Sequence, residues 1–132
     1  MRKILVIDDE KDFAFFVKAN LELDGEYAVE VVNNGKDGIK ATQRHHPDLI
    51  LLDIMMPGLS GLDTLKILKE KDETFQIPVI MLTAKGDEES KMTAATMFNE
   101  EFIVKPVEVE VLKSKIKNVL ERRRGSGIRR IY

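Results

Sequence analysis

The stretch Pro47-Asp48-Leu49-Ile50-Leu51-Leu52-Asp53-Ile54-Met55-Met56-Pro57-Gly58 decides the fold. Its apolar run, Leu49 to Leu52, is too short for a helix and is bounded by aspartates. That pattern reads as a strand buried on both faces, ended by the Pro57-Gly58 turn. Working outward, Ile4 to Ile7 and Val79 to Leu82 are runs of the same kind, and Ala28 to Val32 and Phe102 to Val104 are weaker ones. Between them lie stripes at helical spacing: Phe13, Phe16, Val17 and Leu21; Leu62, Leu65 and Leu68; Leu112, Ile116, Val119 and Leu120. A fourth helix is predicted over 86–101, where Met92, Ala95, Thr96 and Phe98 give a looser stripe. Five strands alternating with helices predict a doubly wound α/β domain with a parallel sheet between two helical layers.

Composition narrows the function. The 132 residues suit one domain, and 43% hydrophobic content is enough for one core. Without cysteine there is no disulfide framework, thiolate zinc site or cysteine nucleophile. The start lacks the apolar run of a signal peptide and no stretch has membrane-span length, so the expected location is cytoplasmic, with no membrane partner. Residues 121–132 hold five arginines and one glutamate, which leaves 16 basic against 22 acidic residues in 1–120. The expected division is a domain over 1–122 and a flexible basic tail or linker over 123–132. Arginines without interleaved aromatics give no reason to expect direct nucleic-acid binding. His45 and His46 are adjacent, share no helix face, and read as an exposed helix end.

In an open parallel sheet, ligands bind where the strands end. The residues that follow the runs are Asp8 and Asp9, Asp53, Thr83 and Lys105. Carboxylates gathered there repel one another and call for positive charge. Mg2+ supplies it while keeping positions open for phosphate oxygens, and Lys105 and Thr83 suit phosphoryl oxygens too. Each residue alone has an ordinary explanation as a helix cap or solvated surface; their joint placement points to an acidic metal site that handles a phosphoryl group. A proline follows Lys105, and most such peptide bonds are trans.

Over about residues 2–122 these features resemble the receiver domains of response regulators in two-component phosphorelay signalling. The resemblance is carried by Asp8-Asp9, by the Pro47 to Gly58 stretch with Gly61 after it, by Thr83-Ala84, and by Phe102-Ile103-Val104-Lys105-Pro106. It implies a flavodoxin-like (βα)5 fold with strand order 2-1-3-4-5. It further implies Asp53 as phosphoacceptor, Asp8, Asp9, Asp53 and the Met55 carbonyl as Mg2+ ligands, and Thr83 and Lys105 on phosphoryl oxygens. Phe102 becomes a switch aromatic that moves with Thr83, and the Lys105–Pro106 peptide becomes cis. The implied partners are a histidine kinase or phosphotransfer protein, with a homodimer through the fourth and fifth helices as a further possibility. Such a protein is no conventional enzyme, although it catalyses its own phosphorylation and dephosphorylation. Two departures stand out: Phe98-Asn99 occupies a turn where the family often has Gly-Ala, and Met55 and Lys85 fill variable positions near the phosphoryl group. A magnesium-dependent phosphohydrolase is the main rival, and it lacks any insertion to form a substrate pocket. A receiver-like module that is never phosphorylated is the second, and the complete set of five site residues speaks against it.

Overall fold

The computed structural model describes residues 1–84, 86 and 100–129, the last stretch from 123 as backbone only. Five strands, β1 (Arg2–Ile7), β2 (Tyr27–Val32), β3 (Leu49–Asp53), β4 (Val79–Thr83) and β5 (Glu101–Val104), form one sheet in the order β2-β1-β3-β4-β5. All pairings are parallel: Ile4 lies beside both Val29 and Leu49, Asp53 beside Leu82, and Thr83 beside Val104. This is the flavodoxin-like doubly wound order, and every β-branched run anticipated above became a strand. The predicted helix over 86–101 falls almost wholly on residues outside the described ones, as do Lys85 and the Phe98-Asn99 turn.

Alternation along the strands builds two cores. Ile4, Val6, Leu49, Leu51, Ile80 and Leu82 face helix α1 (Lys11–Glu22) and the last helix, α4 (Val109–Arg129). Leu5, Ile7, Ile50, Leu52 and Met81 face α2 (Gly35–His45) and α3 (Gly61–Glu70). The α4 stripe is as read, with Leu112, Ile116, Val119 and Leu120 buried. In α1 the buried stripe is Ala14, Val17 and Leu21, while Phe16 is 43% exposed and Phe15 73%. The small Ala14 lets the helix lie close on the sheet and turns the two phenylalanines outward. On α2 the buried face is Gly35, Gly38, Ala41 and Thr42, which apolar periodicity could not reveal. A Cβ on Gly38 would stand 2.5 Å from the Ile7 side chain. Helix α4 runs on through the basic stretch to Arg129.

Local chemistry fixes the turns that aim the site. Asn34 and Ser60 cap α2 and α3 by accepting the Asp37 and Asp63 N–H groups. Gly61 starts α3 hard against the end of β3: its N–H donates to the Ile54 carbonyl at 2.9 Å. A Cβ there would collide with the Asp53 carbonyl oxygen. At the opposite edge, Lys69 pairs with Glu100 at 2.5 Å, both nearly buried, and also donates to the Phe75 and Ile77 carbonyls. Glu100 in turn accepts the Val79 N–H at the start of β4.

Candidate functional site

The parallel register brings the carboxyl ends of β1, β3, β4 and β5 to one edge, which places Asp8, Asp53, Thr83 and Lys105 together. Asp8 is fully buried and Asp53 is 5% exposed. The Asp8 carboxylate accepts the Glu10 N–H at 2.9 Å, and its backbone carbonyl accepts the Asn33 amide at 3.0 Å. The Asp53 carboxylate accepts the Met55 N–H at 3.2 Å, so the turn after β3 orients it. The Met55 side chain itself is exposed.

Lys105 is the cation of the site. Its ammonium lies 2.8 Å from Glu10 Oε1, 3.1 Å from Asp8 Oδ2 and 3.7 Å from Asp53 Oδ2. It also sits 4.4 Å from the centroid of the Phe13 ring. The Lys105 N–H donates to the Thr83 carbonyl at 2.7 Å, which ties the β5 end to the β4 end, and the Lys105–Pro106 peptide is cis.

Burial governs the electrostatics. It raises the pKa of Asp53, and the facing Asp8 carboxylate raises it further. Lys105 and the Met55 N–H pull the other way, contact with Asp9 adds to the rise, and the net result is about 7. Asp8 is raised too, chiefly by burial, against the opposing Glu10 N–H and Lys105. For Lys105, burial favours the neutral amine, but the hydrogen bonds to Glu10 and Asp8 and the charges of Asp8 and Asp53 outweigh it and raise its pKa. The site therefore holds more negative charge than one lysine neutralises.

Two observations bear on what it could hold. One oxygen each from Asp8, Glu10 and Asp53 lie within 4.8 Å of one another, a donor set suited to a hard divalent cation. Thr83 Oγ1 is buried and has no hydrogen-bond partner, alone in this among the described residues. Buried hydroxyls are normally satisfied, and this one has its proton available to donate. Of the residues expected at the site, Asp8, Asp53, Thr83 and Lys105 lie at one edge of the sheet, and Asp9 is near enough to Asp53 to raise its pKa. Phe102 is half-buried, paired in register with Met81 and packed on the α2–α3 core. Glu10 and Phe13 escaped the sequence reading; Glu10 next to the acidic pair was the available signal, but its contact spans 95 positions.

Comparison with known proteins gives the same picture. The phosphate regulon transcriptional regulatory protein PhoB of Rhizobium meliloti (strain 1021) is 33% identical over 120 residues, covering 91% of this chain and 52% of that protein. The response regulator ArlR of Staphylococcus saprophyticus is 34% identical over 122 residues, covering 92% and 54%. The chain thus spans about half the length of the curated relatives it matches. Among solved structures, a response regulator receiver domain protein from Clostridium thermocellum superposes with a TM-score of 0.86 at 32% identity, covering 94% of this chain and 98% of that one. A CheY-like receiver domain protein from Methanospirillum hungatei JF-1 gives 0.87 at 25%, covering 96% and 98%. Residues 4–117 match the family described as the response regulator receiver domain. With five strands in the 2-1-3-4-5 order and the acidic cluster at their carboxyl ends, this chain belongs to the response-regulator receiver family of two-component signalling.

Proposed function

We propose that Asp53 is the residue phosphorylated in this receiver, and that the phosphoryl group comes from the phosphohistidine of a histidine kinase or phosphotransfer protein. The observation that carries the reading is the buried, unpartnered Thr83 hydroxyl at the end of β4, on the residue whose carbonyl accepts the Lys105 N–H. An oxygen of the Asp53 carboxylate attacks phosphorus, the P–N bond to the donor imidazole breaks, and the electron pair leaves with the imidazole. The product is an acyl phosphate on Asp53. Because the carboxylate is the nucleophile, its protonated form is unreactive, and Lys105 favours the ionised form. Lys105 then offsets charge on one phosphoryl oxygen while the Thr83 hydroxyl donates to another, so catalysis consists of positioning and electrostatics.

Asp8 and Asp53, with Asp9 or Glu10 and the Met55 carbonyl, are the groups that would hold Mg2+. Bound there, the ion would neutralise the excess carboxylate charge and that developing on the phosphoryl group. Movement of Thr83 toward the phosphoryl group opens space for Phe102, and the bias so produced is limited by the differential affinity of the two states. The output is a partner protein or an attached domain, by analogy with relatives named transcriptional regulators; a homodimer through 86–101 and α4 is one form it could take. The setting is cytoplasmic, consistent with the absence, among the described residues, of any helix long and apolar enough to cross a membrane. The test is intact mass after incubation with magnesium and acetyl phosphate. The expected result is a magnesium-dependent gain of one phosphoryl group, absent in Asp53→Asn; a gain retained by Asp53→Asn would refute the assignment.

A further inference from the structure

Lys105 leaves β5 at the rim of the site, and its side chain crosses to the start of α1, where it is only 16% exposed. Three carboxylates at 2.8, 3.1 and 3.7 Å surround the ammonium, and the nearest is Glu10, whose side chain is 62% exposed. Glu10 draws the ammonium outward, and the buried Asp8 and Asp53 draw it inward. The Phe13 ring, 4.4 Å from the ammonium, supplies the remaining contact. Glu10 and Phe13 are three positions apart where α1 begins, and so project from the same side of the chain toward one cation. Phe13 is partly buried and packed on the core formed by α1 and α4.

We infer that Phe13 is a positioning residue for Lys105, its ring face holding the ammonium in the site beside Asp8 and Asp53. An aromatic face attracts a cation without donating or accepting a hydrogen bond. The three ammonium N–H groups therefore remain available to oxygens, and without the ring the side chain would spend less of its time in the site. An aliphatic side chain of similar size would fill the same volume and give no such attraction. Glu10 contacts the same ammonium from its exposed side, where a phosphoryl oxygen would compete with it.

The inference rests on Asp53 as the phosphoacceptor, and its test separates the two. The rate of Asp53 phosphorylation by acetyl phosphate at fixed magnesium is measured by intact mass for wild type, Phe13→Leu and Phe13→Tyr, each also in a Lys105→Met background. Phe13→Leu should be slower by roughly three- to tenfold, the range that a partly desolvated cation–π contact supplies. Phe13→Tyr should stay within about twofold of wild type, because it keeps the ring. In the Lys105→Met background the two Phe13 variants should match their parent. A rate for Phe13→Leu equal to wild type, or an equal slowing with and without Lys105, overturns the inference. Circular dichroism melts of each variant identify loss of fold. If wild type takes up no phosphoryl group, the site assignment fails and the contact is still tested by NMR: the Lys105 Hε protons should resonate upfield of their unfolded position in wild type. Unshifted Hε protons would overturn the inference on their own.

Discussion

Replacing Asp53 by asparagine should make the protein more stable at pH 8 than wild type, by an amount that vanishes toward acid pH. The ordinary carboxyl value is 3.8, and burial with the facing Asp8 charge brings Asp53 to about 7. A raised value means that the folded state binds the proton more tightly than the unfolded chain. Stability from this group is therefore greatest in acid and is lost as pH climbs through about 7. Between pH 5 and 7 the folded protein keeps a proton that the unfolded chain has released. At about 1.4 kcal/mol per pH unit this removes roughly 3 kcal/mol from wild type between pH 5 and 8. Asparagine cannot ionise, and its side-chain oxygen can still accept the Met55 N–H. The assay is urea unfolding followed by circular dichroism at pH 5, 6, 7 and 8 in a chelating buffer, since a bound cation would favour the ionised carboxylates. The advantage of Asp53→Asn over wild type should grow across that range. A difference independent of pH, or one that shrinks as pH rises, would refute the electrostatic account of the site.

Thr83→Val should leave urea stability unchanged or raise it by about 1 kcal/mol, because the hydroxyl it removes is buried without a partner. The same variant should lose the NMR shifts that beryllofluoride, a phosphoryl surrogate, induces at Phe102. Gly61→Ala should cost about 2 kcal/mol or more, read as a lower melting temperature, since the added methyl meets the Asp53 carbonyl and stands 2.5 Å from the Ile54 Cα. Lys69→Met should cost about 3 kcal/mol in urea unfolding by leaving Glu100 charged and nearly buried. Adding Glu100→Gln to that variant should restore part of the loss; no recovery would show that the pair is not what holds this edge.

What the sequence disclosed follows from the range of the interactions. Leu49 to Leu52 and Val79 to Leu82 were legible because a strand buried on both faces shows its burial in every residue. Asp53, Thr83 and Lys105 were legible because the ends of parallel strands coincide in space. Phe16 was misplaced because Ala14, a residue of little apolar weight, took the inner position on α1. The α2 face was invisible for the same reason, being made of glycine, alanine and threonine. The contacts of Glu10 and Phe13 with Lys105 and of Lys69 with Glu100 join distant positions, and no local pattern selects one lysine among many for such a partner.

The position of β1 has a bearing on how the chain reaches its native state. Arg2–Ile7 comes early in the chain yet lies inside the sheet, between β2 and β3. Its first neighbour forms once Tyr27–Val32 exists, but its other side stays unpaired until Leu49–Leu52 has been made. During synthesis, Ile4-Leu5-Val6-Ile7 is an open hydrophobic edge for the time needed to translate that interval, and such an edge invites pairing with other chains. Arg2 and Lys3, exposed at its start, place two like charges where a second copy would have to align. The strand is thus guarded by its own first residues during the period before its second neighbour arrives.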